Sequence, residues 1–189
     1  MKSNDVMTSR RRLLGAFAGV AVVSAAPVYA NAAGFLRNAG DVRRISMRNQ
    51  RTGETIDTIY WIEGEYINPA LKEINFFMRD WRREEVIEYD RRNIDTLAAS
   101  HRLMETTEPY TLLSGYRSPQ TNAMLRSRSR GVASNSYHIK GMAADVRLKS
   151  RSVSQMSAAG KACNSGGVGK YNGSNFVHMD SGPIRSWRG

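Results

Sequence analysis

The run A-A-D-V-R-L, residues 143–148, has the composition of a buried strand, yet its centre is a carboxylate, Asp145. An ionised aspartate in such a place is costly unless a cation or a metal ion meets it, so the fold must bring it a partner. Side chains alternate along a strand. Asp145 therefore shares a face with Ala143 and Arg147, while Val146 and Leu148 take the other. His138 lies seven positions earlier, in S-Y-H-I-K-G-M, and Gly141 between them allows the backbone to bend so that the two side chains converge. A second apolar segment, N-F-V-H-M-D at 175–180, repeats the pattern: His178 and Asp180 fall on one face and Val177 and Met179 on the other.

The domain that holds these segments excludes residues 1–30. S-R-R-R-L-L at 9–14 runs into an apolar stretch from Leu13 to Ala26, and Val28-Tyr29-Ala30 has the small residues of a cleavage site. This reads as a twin-arginine signal peptide that engages the twin-arginine translocase. The apolar stretch falls short of the ~20 residues a membrane span requires, so no stable membrane anchor is expected after cleavage; an uncleaved anchor is the alternative. Cleavage after Ala30 leaves 159 residues, of which 31–40 have the small, glycine-containing composition of a flexible leader and 41–189 suffice for one domain. With the signal go Lys2, Arg10, Arg11, Arg12 and Asp5, leaving 24 cationic and 16 anionic residues, a net charge of +8. For a protein outside the cytoplasm, that charge favours cell-wall polymer or anionic lipid over nucleic acid, although scattered arginines also suit a plain soluble surface. Cys163 is the single cysteine, so export here brings no internal disulfide, and its neighbours place it on a packed helix face.

The rest of the chain mixes helices and strands. R-I-S-M-R-N and T-I-D-T-I-Y-W-I flank the turn residues R-T-G-E and predict a β-hairpin. Asn68-Pro69 starts a helix carrying Leu71, Ile74, Phe77 and Met78, and Ile94, Leu97, Ala98 and Leu103 mark a second. Tyr110 to Leu113 predicts a short strand, Pro119 opens a helix with Met124 and Leu125, and 126–136 is a loop. After the Asp145 strand come a helix over about 152–163, a glycine-rich turn S-G-G-V-G-K-Y-N-G-S, and a last strand with His178. The expected class is α+β.

His138, Asp145 and His178 together supply two imidazoles and a carboxylate, a donor set that suits a catalytic zinc ion with its fourth position open to water. The same set also suits iron(II), which leaves an oxygenase as the chemical alternative. S-G-Y-R-S-P, S-Y-H-I-K-G-M-A-A-D-V, G-G-V-G-K-Y and F-V-H-M-D-S-G-P-I-R-S-W-R occur in this order. In these motifs the chain resembles the zinc D-Ala-D-Ala carboxypeptidase family of LAS-type peptidoglycan metallopeptidases, and most closely its exported murein endopeptidase branch. The resemblance covers about 110–189 and implies an α+β fold with a small antiparallel sheet holding zinc, and hydrolysis of peptide bonds in peptidoglycan stems or cross-links in the periplasm.

Carried over by position, the resemblance makes His138, Asp145 and His178 the zinc ligands and Arg117 the cation that meets the scissile carbonyl. The alternative for Arg117 is a structural bond to a backbone carbonyl. Ser136 would orient substrate or, alternatively, cap a turn. Many relatives carry a further histidine or glutamate just before the last ligand, where this chain has Phe176 and Asn175. Asp180 is then the candidate general base, with support of a ligand as its rival role. His101 belongs to a helical pattern and is expected to be a packing or surface residue. The expected function is a zinc murein endopeptidase; a D,D- or L,D-carboxypeptidase on the same polymer, or an inactive cell-wall binding module, are the alternatives. The leader makes one prediction of its own: replacing Arg10 and Arg11 by lysine should leave uncleaved precursor in the cytoplasm, detectable by fractionation and immunoblotting, whereas unchanged export would point to the general secretory route.

Overall fold

The computed structural model describes residues 42–129 and 131–189, so the proposed signal peptide and leader lie outside the described residues. An eight-stranded mixed sheet is the frame, with helices packed against it, as the α+β expectation requires. β1 (Val42–Asn49) and β2 (Thr55–Ile62) form the expected antiparallel hairpin. Its turn is closed by the Asn49 side chain, whose Oδ1 accepts from the backbone N–H groups of Arg51 and Thr52. β3 (Glu65–Tyr66) adds a short edge, and helix α1 (Asn68–Phe77) then buries Leu71, Ile74 and Phe77.

Helix α2 (Arg91–Leu103) starts at Asp90, whose side chain accepts from the Arg92 N–H. Asp95, within that helix, accepts from the hydroxyls of Tyr60 at 2.9 Å and Tyr66 at 2.6 Å, which ties the helix to the hairpin. β4 (Tyr110–Ser114) leads to α3 (Pro119–Arg128), then to a one-turn 3-10 helix (Tyr137–Lys140), β5 (Ala143–Arg147) and α4 (Val153–Ala162). Ser152 and Gln155 form a capping box at the start of α4. β6 (Gly167–Tyr171), β7 (Phe176–Asp180) and β8 (Arg185–Arg188) complete the sheet, whose order is β3-β2-β1-β4-β5-β7-β6-β8.

Three expectations about the sheet are corrected. The segment expected as a glycine-rich turn is strand β6 over Gly167–Tyr171, and only residues 172–175 turn. Glycine is depleted in strands, so composition argued against β6; what holds it is pairing with β7 on one side and β8 on the other. The His178 strand is not the last, because β8 follows it. The sheet is also larger than expected and not wholly antiparallel: β1 pairs with β4, and β6 with β8, in parallel, whereas β4, β5, β7 and β6 are antiparallel neighbours.

Helices α2 and α4 pack on one face of the sheet, where Met179 touches Ser100 and Gly160 and joins Ala144, Val146 and Val177 in the main core. The opposite face of β5 and β7 carries Asp145, His178 and Asp180. The expected division of β5 into one apolar and one charged face holds by side, but both faces are buried: Ala143, Ala144 and Val146 are fully covered and Asp145 nearly so. Cys163 is buried beside Ala99 and Leu103, and burial pushes its thiol up to about 12.

One buried carboxylate anchors the loop that follows β4. Asp80 is 1% exposed; its Oδ2 accepts from the Ser118 backbone N–H at 2.9 Å and hydroxyl at 2.7 Å, and its Oδ1 from the Arg82 N–H. Ser118 in turn caps α3, and Arg117 is its neighbour in sequence. Burial opposes ionisation of Asp80, but the hydrogen bonds from Thr121, Ser118 and Arg82 hold its carboxyl below the ordinary range. Asp80→Ala leaves these donors without an acceptor and should cost about 2–4 kcal/mol in chemical denaturation at pH 7. Because the native carboxyl value is lowered, the stabilisation linked to its ionisation is present above about pH 4 and lost as pH falls through the lowered value, so the gap between parent and variant should narrow on acidification below about pH 4.

Candidate metal centre

The register of the sheet sets Asp145 directly opposite His178 and Ala143 opposite Asp180. Cross-strand partners project to the same side, so the carboxylate and the imidazole meet by pairing alone. His138 arrives from the 3-10 helix, which Ser136 caps by accepting from the His138 N–H and which ends at Gly141, in the left-handed region at φ +63°. The Asp90 N–H donates to the Gly141 carbonyl, and the Tyr89 hydroxyl donates to that of Ala143, pinning the bend between His138 and β5.

Three potential ligand atoms converge. His178 Nδ1 lies 2.9 Å from Asp145 Oδ1, His138 Nε2 lies 3.3 Å from the same oxygen, and the two nitrogens are 3.3 Å apart. Ligands about 2.0–2.1 Å from a tetrahedral zinc ion are separated by roughly 3.3–3.4 Å, so this triangle fits such an ion after slight expansion. Among the described residues, these three form the group able to hold a metal.

The far side of each imidazole is committed. His138 Nδ1 donates to the Gly115 carbonyl at 2.7 Å, which turns the Nε2 lone pair toward Asp145. His178 Nε2 donates to Asp180 Oδ2 at 2.9 Å, which directs Nδ1 inward. Burial keeps His138 below its ordinary value and hence neutral. Burial alone would lower His178 as well, but hydrogen bonds to Asp145 and Asp180 lift it to about 9. A metal ion has to displace that Nδ1 proton, which makes binding proton-linked. Burial opposes ionisation of Asp145, yet the charged and hydrogen-bonding groups around it hold it well below the ordinary carboxylate range.

Arg117 belongs to the same cluster. Its Nη2 donates to Asp145 Oδ2 at 2.8 Å, its Nε donates to Ser114 Oγ at 2.8 Å, and its backbone N–H donates to the His138 carbonyl. The guanidinium thus occupies the oxygen of Asp145 that faces away from the histidines, and leaves Oδ1 to the ligand triangle. Arg117, Ser136, His138, Asp145 and His178 all line one cleft of about 530 Å³, and Tyr171, Phe176 and Trp187 form its aromatic side. His101 lies elsewhere, with Nε2 against the Glu108 carbonyl and its ring against Tyr110.

Asp180 lies on the far side of His178 from the ligand triangle. It is fully buried behind His178, and its oxygens receive the His178 Nε2–H, both Nη atoms of Arg185, and the N–H groups of Gly167 and Gly182. Burial opposes its ionisation, but His178, Arg185 and Gly182 keep it well below the ordinary range, which makes it a poor proton acceptor. Asp180 thus faces the outer nitrogen of His178, the side away from the ligand triangle. Sequence reasoning passed over Arg185, Trp187 and Ser114 as site residues; a period of two puts Arg185 and Trp187 on one face, but their pairing with Gly167 and Gly169 is visible only in the structure.

A family model described as peptidoglycan L,D-endopeptidase MepK matches residues 37–187. Relatives of that name from Escherichia coli K12 and Shigella flexneri are 38% identical over 186 residues, 97% of this chain and 100% of theirs. A probable peptidoglycan L,D-endopeptidase MepK from Haemophilus influenzae is 37% identical over 153 residues, 78% of this chain and 80% of its own. On both the extent of the match and its identity, the chain belongs to the peptidoglycan L,D-endopeptidase MepK family of M15 peptidases.

Proposed function

We propose that this protein is a zinc peptidase that cuts a peptide bond joining an L- to a D-centre within peptidoglycan, outside the cytoplasmic membrane where that polymer lies. The observation that carries the reading is the inward triangle of His138 Nε2, Asp145 Oδ1 and His178 Nδ1, each imidazole oriented by a bond on its far side. Similarity to relatives named for that activity supports the choice of polymer and bond.

Zinc held by these three residues would supply a Lewis acid and an acidified water. The rest of the chemistry falls to the chain. Arg117, fixed by Ser114 and Asp145, offers a permanent cation beside the ligands, where charge develops on the oxygen of a scissile carbonyl. Ser136 acts by capping the turn that presents His138, and its place on the cleft also allows a contact to substrate. Asp180 holds the His178 ring in the tautomer that offers Nδ1 inward. Among the described residues lining the cleft, Asp145 is the only carboxylate, so a base of the glutamate kind is not supplied from the walls.

Mass spectrometry of muropeptides after incubation with the mature protein tests the reading. Cleavage at an L,D bond that is abolished by a chelator and restored by zinc is expected, and His178→Ala should lose both metal and activity. A protein that binds murein without cutting it would instead be a binding module. Asp180→Asn separates the two roles weighed for that residue: zinc affinity should fall ~10–100-fold, with turnover largely recovered at saturating zinc. A ~10²–10⁴-fold loss of turnover that excess zinc does not repair would return Asp180 to the role of base.

A further inference from the structure

Beyond the ligands, one cross-strand row runs through the site. Ser114 pairs with Asp145, Asp145 with His178, His178 with Gly169, and Gly169 with Trp187, across β4, β5, β7, β6 and β8. At Gly169 the row has no side chain, and the Trp187 indole takes that space: a Cβ there would lie 2.6 Å from the ring. The indole thereby comes to 5.3 Å, centroid to centroid, from the His178 imidazole, and its Nε1–H donates to the Tyr171 hydroxyl at 3.0 Å. Two residues earlier on the same strand, Arg185 reaches the other side of the histidine. Its Nη1 and Nη2 donate to Oδ1 and Oδ2 of Asp180 at 3.0 and 2.7 Å, a forked pair that fixes the plane of the carboxylate. The guanidinium is itself held between the Tyr137 ring at 5.0 Å and the Trp187 ring at 4.9 Å.

We infer that β8 is the outer support of the metal centre and that Arg185 and Trp187 are positioning residues for His178, Arg185 acting through Asp180. Neither is needed to close the hydrophobic core. Arg185 remains 39% exposed, and β8 is an edge strand paired only with β6. Its contribution is directional. Without the Arg185 fork, the Asp180 carboxylate can rotate, the Nε2–H of His178 loses its fixed acceptor, and Nδ1 no longer points steadily at the ligand triangle. Trp187 limits tilting of the same ring from the side. The inference rests on the proposed zinc site but concerns residues outside it.

The test is zinc affinity of the full mature protein by competition with a chromophoric chelator, with the melting temperature of each metal-free form measured alongside. Arg185→Ala should melt close to the parent and bind zinc ~10–100-fold more weakly, and Arg185→Lys, which keeps the charge but not the fork, should fall between. In an Asp180→Asn background, Arg185→Ala should add less than about twofold, because the route through Asp180 is already cut. Trp187→Leu should weaken zinc by a smaller factor. Affinity of Arg185→Ala within about twofold of the parent, or losses that multiply fully in the double variant, overturns the inference. If Arg185→Ala does not fold, the lysine and leucine variants decide by the same criterion. A parent protein that binds no zinc, or a His178→Ala variant that binds it unchanged, overturns the metal reading itself and this inference with it.

Discussion

The carboxylate of Asp145 is the interaction on which the rest of the site depends. Buried between two imidazoles and a guanidinium, it gives one oxygen to the histidines and the other to Arg117. An isolated charge in that position would be untenable. Each surrounding group is therefore fixed by the need to meet it, and each is fixed from a different part of the chain: His138 by a capped single turn, His178 by strand register, and Arg117 by the loop that Asp80 anchors.

This convergence explains why the sheet is as wide as it is. Asp145 and His178, two of the three candidate ligands, occupy β5 and β7 near its middle, where both flanks are supported. On one side β4 supplies Ser114 to hold Arg117, and on the other β6 and β8 bring Arg185 and Trp187 around the back of His178. The helix-covered face of the same strands, with Ala144, Val146, Val177 and Met179, makes them rigid. A site built on paired strands holds its ligand atoms more closely than one built on loops, because every backbone hydrogen bond between β5 and β7 also fixes the distance from Asp145 to His178.

The chemistry that follows is hydrolytic in character. The cleft is lined by the ligand triangle and a fixed cation together with Tyr171, Phe176 and Trp187. Permanent charges and oriented imidazoles stabilise charge as it develops without rearranging, which is where such a site gains most over water. Membership in a family named for peptidoglycan L,D-endopeptidases fits this arrangement, and the cationic excess of the chain suits an anionic polymer.

The sequence by itself determined the class, most of the elements and the donor set. Alternation placed His178 with Asp180 and separated Asp145 from Val146, and proline signals located the helix starts at Asn68-Pro69 and Pro119. These are local properties, and local periodicity carries them. Only the tertiary structure decided that Gly167–Tyr171 is a strand, because its stability comes from two neighbours distant in sequence rather than from its glycine-rich composition. Only the tertiary structure could tell the positions of Asp145 and Asp180 apart. Both are strand aspartates beside the same histidine, and what distinguishes them is which imidazole nitrogen each one faces. That is set by the pairing of β5 with β7 and by the return of β8, contacts between segments whose side chains carry no mark in sequence of where they will meet.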